Sequence, residues 1–249
     1  MSKNRKRYPK SNPLYEKIAD DVEKKTPDNV LHSRYNGGEM HDRKSELRIR
    51  TQAIAIGVPM DELMFSKFFE NYIGLDIMPW DSTITTASTY LPDARNHIHN
   101  IFLEKSEATH LLMLDSDVLP PPRLIETLLL HDKDMVGGWY SKKEKFPVKD
   151  VEGNTKIIQR PVVYDFDSVK DGMPYYINRL NAGKGLESVD AAGAGLWLMS
   201  RKAAEALGKN PYGDGVGEDL LMCYKLKQLG FDLWVDWDIH AAHCGVFYV

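Results

Sequence analysis

The chain has 249 residues with a formal net charge of −4 at pH 7, and 43% of its residues are hydrophobic. This length and composition fit one folded domain with a sizeable core and exclude an intrinsically disordered chain. No apolar run approaches the ~20 residues of a membrane-spanning helix, and the amino terminus lacks the apolar core of a signal peptide. The two cysteines, Cys223 and Cys244, suggest no disulfide framework. We therefore expect a cytoplasmic protein without a membrane anchor.

Residues 1–50 are predicted to form a polar, basic N-terminal extension. They hold 13 Lys and Arg against 8 Asp and Glu, a net charge of +5, whereas residues 51–249 hold 19 against 28, a net charge of −9. A basic arm of this kind is suited to contact a polyanion such as nucleic acid, and a solvated terminus is the alternative interpretation. The acidic remainder argues against a nucleic acid bound over the whole surface.

Strand and helix patterns alternate from Gln52 onwards. Short apolar or β-branched runs predict strands, and apolar residues three or four positions apart predict helices. Between Ser141 and Asn181 the pattern is weak, with charged loops and one candidate hairpin. The alternation predicts an α/β fold, in which residues 51–249 form one domain on a mostly parallel central sheet. The predicted strands are Ala53–Pro59, Ser82–Thr89, His110–Leu114, Asp134–Tyr140, Val189–Ser200 and Phe231–Trp237, and the predicted helices are Asp61–Ile73, Asp93–Ser106, Pro121–His131, a short one after Ser200, and Gly217–Gly230.

A buried strand that ends in two acidic residues is the first candidate site. The stretch HLLMLDSDVLPPP places Asp115 and Asp117 directly after the strand, at the end where ligands of parallel sheets gather. Residues two apart in an extended chain point the same way, and neighbouring carboxylates repel each other unless a cation joins them. Oxygen ligands suit Mg²⁺ or Mn²⁺ holding a diphosphate, although D-x-D is also a common polar turn. Pro120 to Pro122 are expected to begin the next helix.

Two later segments carry further candidate groups. Glu218 and Asp219 begin a predicted amphipathic helix, where acids either complement the helix dipole or act as a general base near a metal. The stretch DIHAAHCG follows the last strand and offers His240 and His243 as metal ligands, both usable only if the chain turns between them. Cys244 raises the alternative of a zinc site, but the sequence offers too few other ligands for one.

Several short motifs occur in an order that resembles glycosyltransferases with the GT-A fold, particularly family-2-like enzymes from phages and bacteria. They are AIGVP, LPDARN, HLLMLDSDV, DMVGGWY, GAGLWLMSR, GEDLL and HCG, over about residues 52–245. The resemblance implies a single nucleotide-sugar-binding, Rossmann-like domain. It also implies a nucleotide-sugar donor, most often a UDP-sugar, and Mn²⁺ or Mg²⁺ as cofactor. Residues 1–50 have no counterpart in it.

The resemblance further implies roles for individual residues. Asp115 and Asp117 match the D-x-D motif, with Asp117 as the usual direct metal ligand. His243 matches the family's late metal-binding histidine. Asp219, with Glu218 before it, matches the position of the catalytic base. The residues implied to contact the donor are Ile56, Gly57, Pro59, Arg95, Asn96, Asp115, Ser116, Gly193 and Gly195.

The implied reaction is glycosyl transfer, in which an acceptor hydroxyl attacks the anomeric carbon while the metal neutralises the leaving diphosphate. Asp219 as base favours inversion, whereas a retaining relative would not need it in that role. His240 stands where galactosyltransferase relatives have a metal-binding methionine, which leaves its role open.

The acceptor is a second open point. A saccharide is one candidate, and a hydroxymethylated base in phage DNA, flipped from the duplex or approached in a groove, is another. Two other functions compete with glycosyl transfer. A nucleotidyltransferase acting on sugar phosphates would usually show a Gly-rich phosphate loop near the first strand, where AIGVPMDE has one glycine. A non-catalytic binding protein that retains the fold is the other.

Overall fold

Fourteen strands and five helices make up the described part of the chain, which in this computed structural model comprises residues 50–60, 64–88, 90–144, 146–149 and 152–244. The predicted N-terminal extension up to residue 49 and the predicted helix start at Asp61 lie outside the described residues. The strands are β1 (Ile54–Met60), β2 (Ser82–Ala87), β3 (His110–Leu114), β4 (Val118–Leu119), β5 (Met135–Trp139), β6 (Phe146–Lys149), β7 (Thr155–Ile158), β8 (Val163–Lys170), β9 (Met173–Asn178), β10 (Leu186–Val189), β11 (Ala191–Ala192), β12 (Leu196–Ser200), β13 (Leu233–His240) and β14 (Ala242–His243). The helices are α1 (Ser66–Tyr72), α2 (Leu91–Lys105), α3 (Leu124–Leu130), α4 (Arg201–Leu207) and α5 (Glu218–Gln228).

Seven strands form the central sheet, in the order β10-β13-β5-β12-β3-β1-β2. Five of them (β1, β2, β3, β5 and β13) run in one direction, and β10 and β12 run in the other. The predicted α/β class is confirmed, but the sheet is mixed, because three of its six pairings are antiparallel. Most of this departure comes from β12, which lies antiparallel between β3 and β5.

The middle strands of the sheet are buried on both faces. β3 is buried from Leu111 to Leu114 and β1 from Ile54 to Pro59. Strands of this kind need cover on both sides. α2 covers one face through side chains such as Ile98, and α3 packs on the opposite face. Gly57 in β1 permits the close approach of α2, because a Cβ at that position would lie 2.3 Å from Ile98 Cγ2.

The segment after β3 differs from the prediction. β4 pairs with β14, and α3 begins only at Leu124, so the prolines at 120 to 122 precede the helix and do not begin it. A residue followed by proline is pushed out of the α region, and Leu119, Pro120 and Pro121 are each followed by one. Arg123 then takes a left-handed conformation with φ of 59°. The prolines therefore separate β4 from α3.

Two other regions also depart from the predicted strands. The predicted strand Val189–Ser200 is divided into the end of β10, the two residues of β11, and β12, with the turn Gly193–Gly195 before β12. The weakly patterned stretch Ser141–Asn181 contains the hairpin of β8 and β9, which joins β11 in a three-stranded sheet. Across the described ranges, no helix is long and apolar enough to cross a membrane.

A buried histidine links α2 to the end of α4. The His99 ring is fully buried, and its Nε2 lies 3.0 Å from the carbonyl oxygen of Gly208. Its Nδ1 has no hydrogen-bond partner within the described residues. Burial lowers the pKa of His99 to about 4, although contacts with the carbonyls of Gly208 and Ala204 oppose the change. The ring is therefore held neutral in the folded protein.

We expect the free energy of unfolding to fall on acidification because of His99. The unfolded chain binds a proton at His99 below about pH 6.5 and the folded protein only near pH 4, so the loss develops between these values. Each pKa unit is worth about 1.4 kcal/mol, which gives up to roughly 3 kcal/mol. Urea denaturation at about pH 7 and pH 4.5 measures this difference in the free energy of unfolding. His99→Gln, which keeps a donor for Gly208, should lose less stability on acidification, and His97→Gln on the exposed side of α2 is the control. An equal acid-induced loss in both variants would contradict the assignment.

Candidate active site

Titratable side chains from four parts of the chain meet at one edge of the central sheet. The strands β1, β3, β5 and β13 run in the same direction, so their carboxyl ends lie at this edge. Asp115 and Asp117 follow β3, Lys143 follows β5, and His243 follows β13. α5 begins there with Glu218. Carboxyl ends of parallel strands are where α/β proteins commonly bind ligands, so this edge is the candidate site.

The Arg95 guanidinium joins the two acidic motifs. Arg95 lies on α2 and is 2% exposed, and its Nη2 donates to both carboxylate oxygens of Asp115 at 2.8 Å. Its Nη1 donates to Glu218 Oε1. Burial disfavours the guanidinium charge, but the carboxylates of Asp115, Asp219 and Glu218 outweigh it and raise the pKa of Arg95. Arg95 is therefore a permanent cation at the centre of the site.

Asp117 lies in a different environment from Asp115. The amide of Val118 donates to the carbonyl of Asp115 at 3.0 Å and closes a turn, so the extended geometry expected for the two aspartates is wrong. The turn gives the two carboxylates different partners. Lys143 Nζ donates to Asp117 Oδ2 at 2.5 Å, and His243 Nε2 lies 3.5 Å from Asp117 Oδ1.

The surroundings of Asp117 favour its charged form. Burial opposes ionisation, but hydrogen bonds from His243 and Lys143 lower the pKa of Asp117 to about 2. The pKa of His243 is raised, because its contacts with Asp117 and with the carbonyl of Ser141, 2.8 Å from Nδ1, outweigh its burial. Asp117 is thus an anion in contact with the ammonium group of Lys143 and the imidazole of His243.

The residues at this edge fit part of a divalent-metal site. Within the described ranges, no three His, Cys, Asp or Glu side chains are grouped to hold a metal ion. Both oxygens of Asp115 are bonded to Arg95, so the structure brings together only Asp117 and His243 of the three predicted ligands. Mg²⁺ at phosphate sites commonly uses one or two protein carboxylates and fills its remaining positions with water and phosphate. Asp117 and His243 fit such a two-ligand arrangement.

Asp219 is the carboxylate with a pKa suited to proton transfer. It stands at the start of α5, next to Glu218, and its Oδ1 accepts a hydrogen bond from the amide of Leu220 at 2.8 Å. Burial raises its pKa to about 6, the nearby charges of Glu218 and Asp115 act in the same direction, and Arg95 opposes them. A carboxylate with this pKa can accept a proton near neutral pH. Glu218, in contrast, is bound to Arg95.

Two glycines form a wall beside Asp115. A Cβ at Gly195 would lie 2.6 Å from Asp115 Oδ2 and 2.7 Å from the Tyr140 hydroxyl, and one at Gly193 would lie 2.5 Å from the same hydroxyl. The amide of Gly195 donates to the hydroxyl of Tyr140 at 3.1 Å. Burial raises the pKa of Tyr140, and the charge of Asp115 adds to the effect. Only glycine fits at these two positions while Tyr140 and Asp115 keep their places.

The structure also gives the places of His240 and of the other residues predicted to contact the donor. The side-chain amide of Asn96 bonds the backbone of Tyr212 at 2.8 and 3.0 Å. Ser116 lies in the turn between Asp115 and Asp117, and His240 stacks its ring on Trp139 with centroids 4.0 Å apart. The remaining three are packed into β1: Ile56, Gly57 and Pro59.

Lys143 is the site residue that sequence reasoning missed. It lies among four charged residues in KKEK, where nothing in the pattern separates a functional lysine from a solvated one. Only the place of this segment after β5, beside the end of β3, could have pointed to it.

Comparisons with known proteins bear on the fold. No protein-family model and no curated protein matches the sequence. A197 from STIV matches with a TM-score of 0.50 at 15% identity, over 78% of this chain and 86% of that chain. The structure of GalNAc-T7 with UDP, GalNAc and Mn²⁺ matches with a TM-score of 0.51 at 12% identity, over 79% of this chain and 44% of that chain. The fold is glycosyltransferase-like.

The glycosyltransferase-like fold agrees with the GT-A resemblance of the motifs. At these identities the likeness establishes the fold alone. The chain spans less than half of the GalNAc-T7 chain that it matches. The chemistry of the site therefore has to be argued from its own residues.

Replacement of Arg95 tests whether its ion pairs stabilise this edge of the sheet. Arg95→Met leaves Asp115 and Glu218, each 18% exposed, without their counter-charge. Breaking a buried pair in this way costs roughly 3 to 5 kcal/mol, which we expect in the free energy of unfolding from urea denaturation. Arg123→Met removes an ion pair with Glu126 from a half-exposed arginine and should cost at most about 1 kcal/mol. Similar losses of unfolding free energy in the two variants would show that the ion pairs of Arg95 contribute no more to stability than an exposed ion pair does.

Proposed function

We propose that the protein is a metal-dependent glycosyltransferase that moves a sugar from a nucleotide-sugar donor to an acceptor hydroxyl. The observation that carries the proposal is the placement of Asp117, His243 and Asp219 at one edge of a glycosyltransferase-like sheet. The GalNAc-T7 structure of this fold contains UDP and Mn²⁺, which makes a UDP-sugar the first donor to test. The glycosyltransferase-like sheet and the shifted pKa values of Asp117 and Asp219 at its edge also support a glycosyltransferase.

Asp117 and His243 are the proposed ligands of Mn²⁺ or Mg²⁺. Asp117 is held ionised, and His243 is fixed by the carbonyl of Ser141 so that its Nε2 faces Asp117. A bound divalent ion would neutralise charge on the leaving diphosphate. Asp115 is proposed to act indirectly, by fixing Arg95 and the Gly195 wall against which the donor would lie. Ile56, Gly57, Pro59, Asn96 and Ser116 remain predicted donor contacts.

Asp219 is the proposed general base. The acceptor oxygen would form the new bond to the anomeric carbon, its proton would pass to Asp219, and the bond from that carbon to the diphosphate would break. A single displacement of this kind inverts the configuration. Glu218 is proposed to position α5 through Arg95, so that Asp219 faces the reacting hydroxyl.

A saccharide is the acceptor that the surroundings of Asp219 favour over DNA. Tyr164 lies close enough for the charge of Asp219 to add to the burial that raises its pKa, and an aromatic ring at this place could stack on a sugar or on a base. The hairpin that carries Tyr164 also presents Asp167 and Asp171, whose charges repel phosphate, whereas Asp165 is paired with Arg179. The hydroxymethylated base of phage DNA stays the second candidate acceptor.

A metal-dependent response to a nucleotide-sugar is the first expected result. Thermal-shift measurements with UDP-, GDP-, TDP- and CMP-sugars, each with and without Mn²⁺, should give a rise in melting temperature with one nucleotide that needs the metal. Asp117→Ala should abolish the rise, because it removes a ligand, while Asp134→Ala removes an aspartate paired with Lys202 elsewhere and should leave it unchanged. No metal-dependent response to any donor would refute the proposal.

Activity is expected to follow the ionisation of Asp219. With a pKa of about 6 for this base, kcat/KM should fall about tenfold for each pH unit below that value. Asp219→Asn should lower kcat by on the order of 10² to 10⁴ and remove the acid limb of the pH profile. Glu218→Gln is the matched control, because it should keep an acid limb, moved to lower pH by the loss of the Glu218 charge that raises the pKa of Asp219. A wild-type pH profile in Asp219→Asn would rule out this residue as the base.

A further inference from the structure

Lys143 holds an oxygen of the proposed metal ligand. Its Nζ donates to Asp117 Oδ2, while His243 lies nearer to Oδ1, so the carboxylate is shared between an ammonium group and an imidazole. The Lys143 side chain is 47% exposed. The backbone around it is fixed, since the amide of Lys142 donates to Arg160 at 2.8 Å and that of Val162 donates to Tyr140 at 2.9 Å. A fixed backbone with an exposed, flexible side chain lets the ammonium group move while its segment stays in place.

The ammonium group and a divalent cation compete for the same carboxylate. A metal bound to Asp117 beside His243 would repel the ammonium group at hydrogen-bond distance from Oδ2, which favours the departure of Lys143 when the metal enters. Its side chain then needs another anion. The diphosphate of a nucleotide-sugar would bring two negative groups to this edge, within reach of a lysine on the neighbouring segment.

We propose that Lys143 couples metal binding to donor binding. Its ammonium group holds Asp117 in the ligand-free protein and transfers to the donor diphosphate when the metal takes the carboxylate. The inference rests on the proposed function and adds the residue that links its two ligands. Lys143 therefore weakens the binding of the metal when no nucleotide is present. Once the metal is bound, Lys143 strengthens the binding of the nucleotide. By thermodynamic reciprocity, each ligand raises the affinity for the other.

The test compares Mn²⁺ and nucleotide binding in Lys143→Met with the wild type. Isothermal titration measures Mn²⁺ affinity with and without UDP, or with the nucleoside diphosphate of whichever donor gives the metal-dependent thermal shift. We expect Lys143→Met to bind Mn²⁺ alone on the order of fivefold tighter, because the competing ion pair is gone. In the presence of Mn²⁺ it should bind the nucleotide roughly tenfold more weakly, because one phosphate contact is lost. The formation of Mn²⁺–nucleotide complexes in solution is the same for every variant and cancels in the comparison.

Two further variants separate this role from a general effect of charge. Lys202 forms an ion pair of the same 2.5 Å length with Asp134, and it is similarly exposed. Lys202→Met therefore removes one positive charge and one Lys–Asp pair, and it should leave both affinities unchanged. Lys143→Arg keeps the charge and should retain most of the coupling. Melting temperatures of the three variants establish that each is folded.

Three results would overturn the inference. Unchanged Mn²⁺ affinity and unchanged coupling in Lys143→Met would show that the lysine does not compete with the metal. Nucleotide binding by the wild type without metal, lost in Lys143→Met, would show that the lysine replaces the metal. Absence of Mn²⁺ and nucleotide binding in the wild type itself would refute the proposed function together with this link. The first result leaves that function standing, and the second removes its metal dependence but keeps the nucleotide site, so the failures are distinguishable.

Discussion

The buried guanidinium of Arg95 is the constraint on which the site depends. A buried charge is costly unless it is paired and hydrogen-bonded, and Arg95 meets this requirement only by taking carboxylates from two distant parts of the chain. It stands on α2, Asp115 follows β3, and Glu218 begins α5. One side chain thus fixes a helix on the face of the sheet, the end of a central strand and the start of a second helix. The edge keeps its shape because separating these elements would leave buried charges without their partners.

The same constraint divides the work among the four acidic residues. Asp115 and Glu218 are engaged by Arg95, and their neighbours Asp117 and Asp219 are the proposed metal ligand and the proposed base. These two then diverge, with the pKa of Asp117 lowered to about 2 and that of Asp219 raised to about 6. Pairs of titratable groups whose surroundings drive their pKa values apart are the usual mark of an assigned charge holder and an assigned proton acceptor. Each acidic motif therefore contributes one structural and one chemically available carboxylate.

The sequence predicted those features that depend on local pattern. β3 has the predicted bounds, His110–Leu114, because its residues are apolar on both faces and polar residues end the run. Gly193 and Gly195 stay predicted donor contacts, and the structure places them against Tyr140 and Asp115. Periodicity carries no information on partners that are distant in sequence. Neither the capture of Asp115 by Arg95 nor the reach of Lys143 to Asp117 could be predicted from spacing, since each depends on the order of strands in the sheet.

The antiparallel strand β12 borders the candidate site, and it is also where the sheet departs from the predicted, mostly parallel arrangement. Because β12 runs opposite to β3, it begins at the edge where β3 ends, and Leu196 pairs with Leu114. Gly195 is therefore placed directly beside Asp115, whose amide donates to its carbonyl at 3.0 Å. A parallel strand in this position would bring its carboxyl end to the edge and carry the glycine turn to the far side of the sheet. The reversal thus supplies a flat backbone wall next to the carboxylates, where a side chain would collide with Asp115.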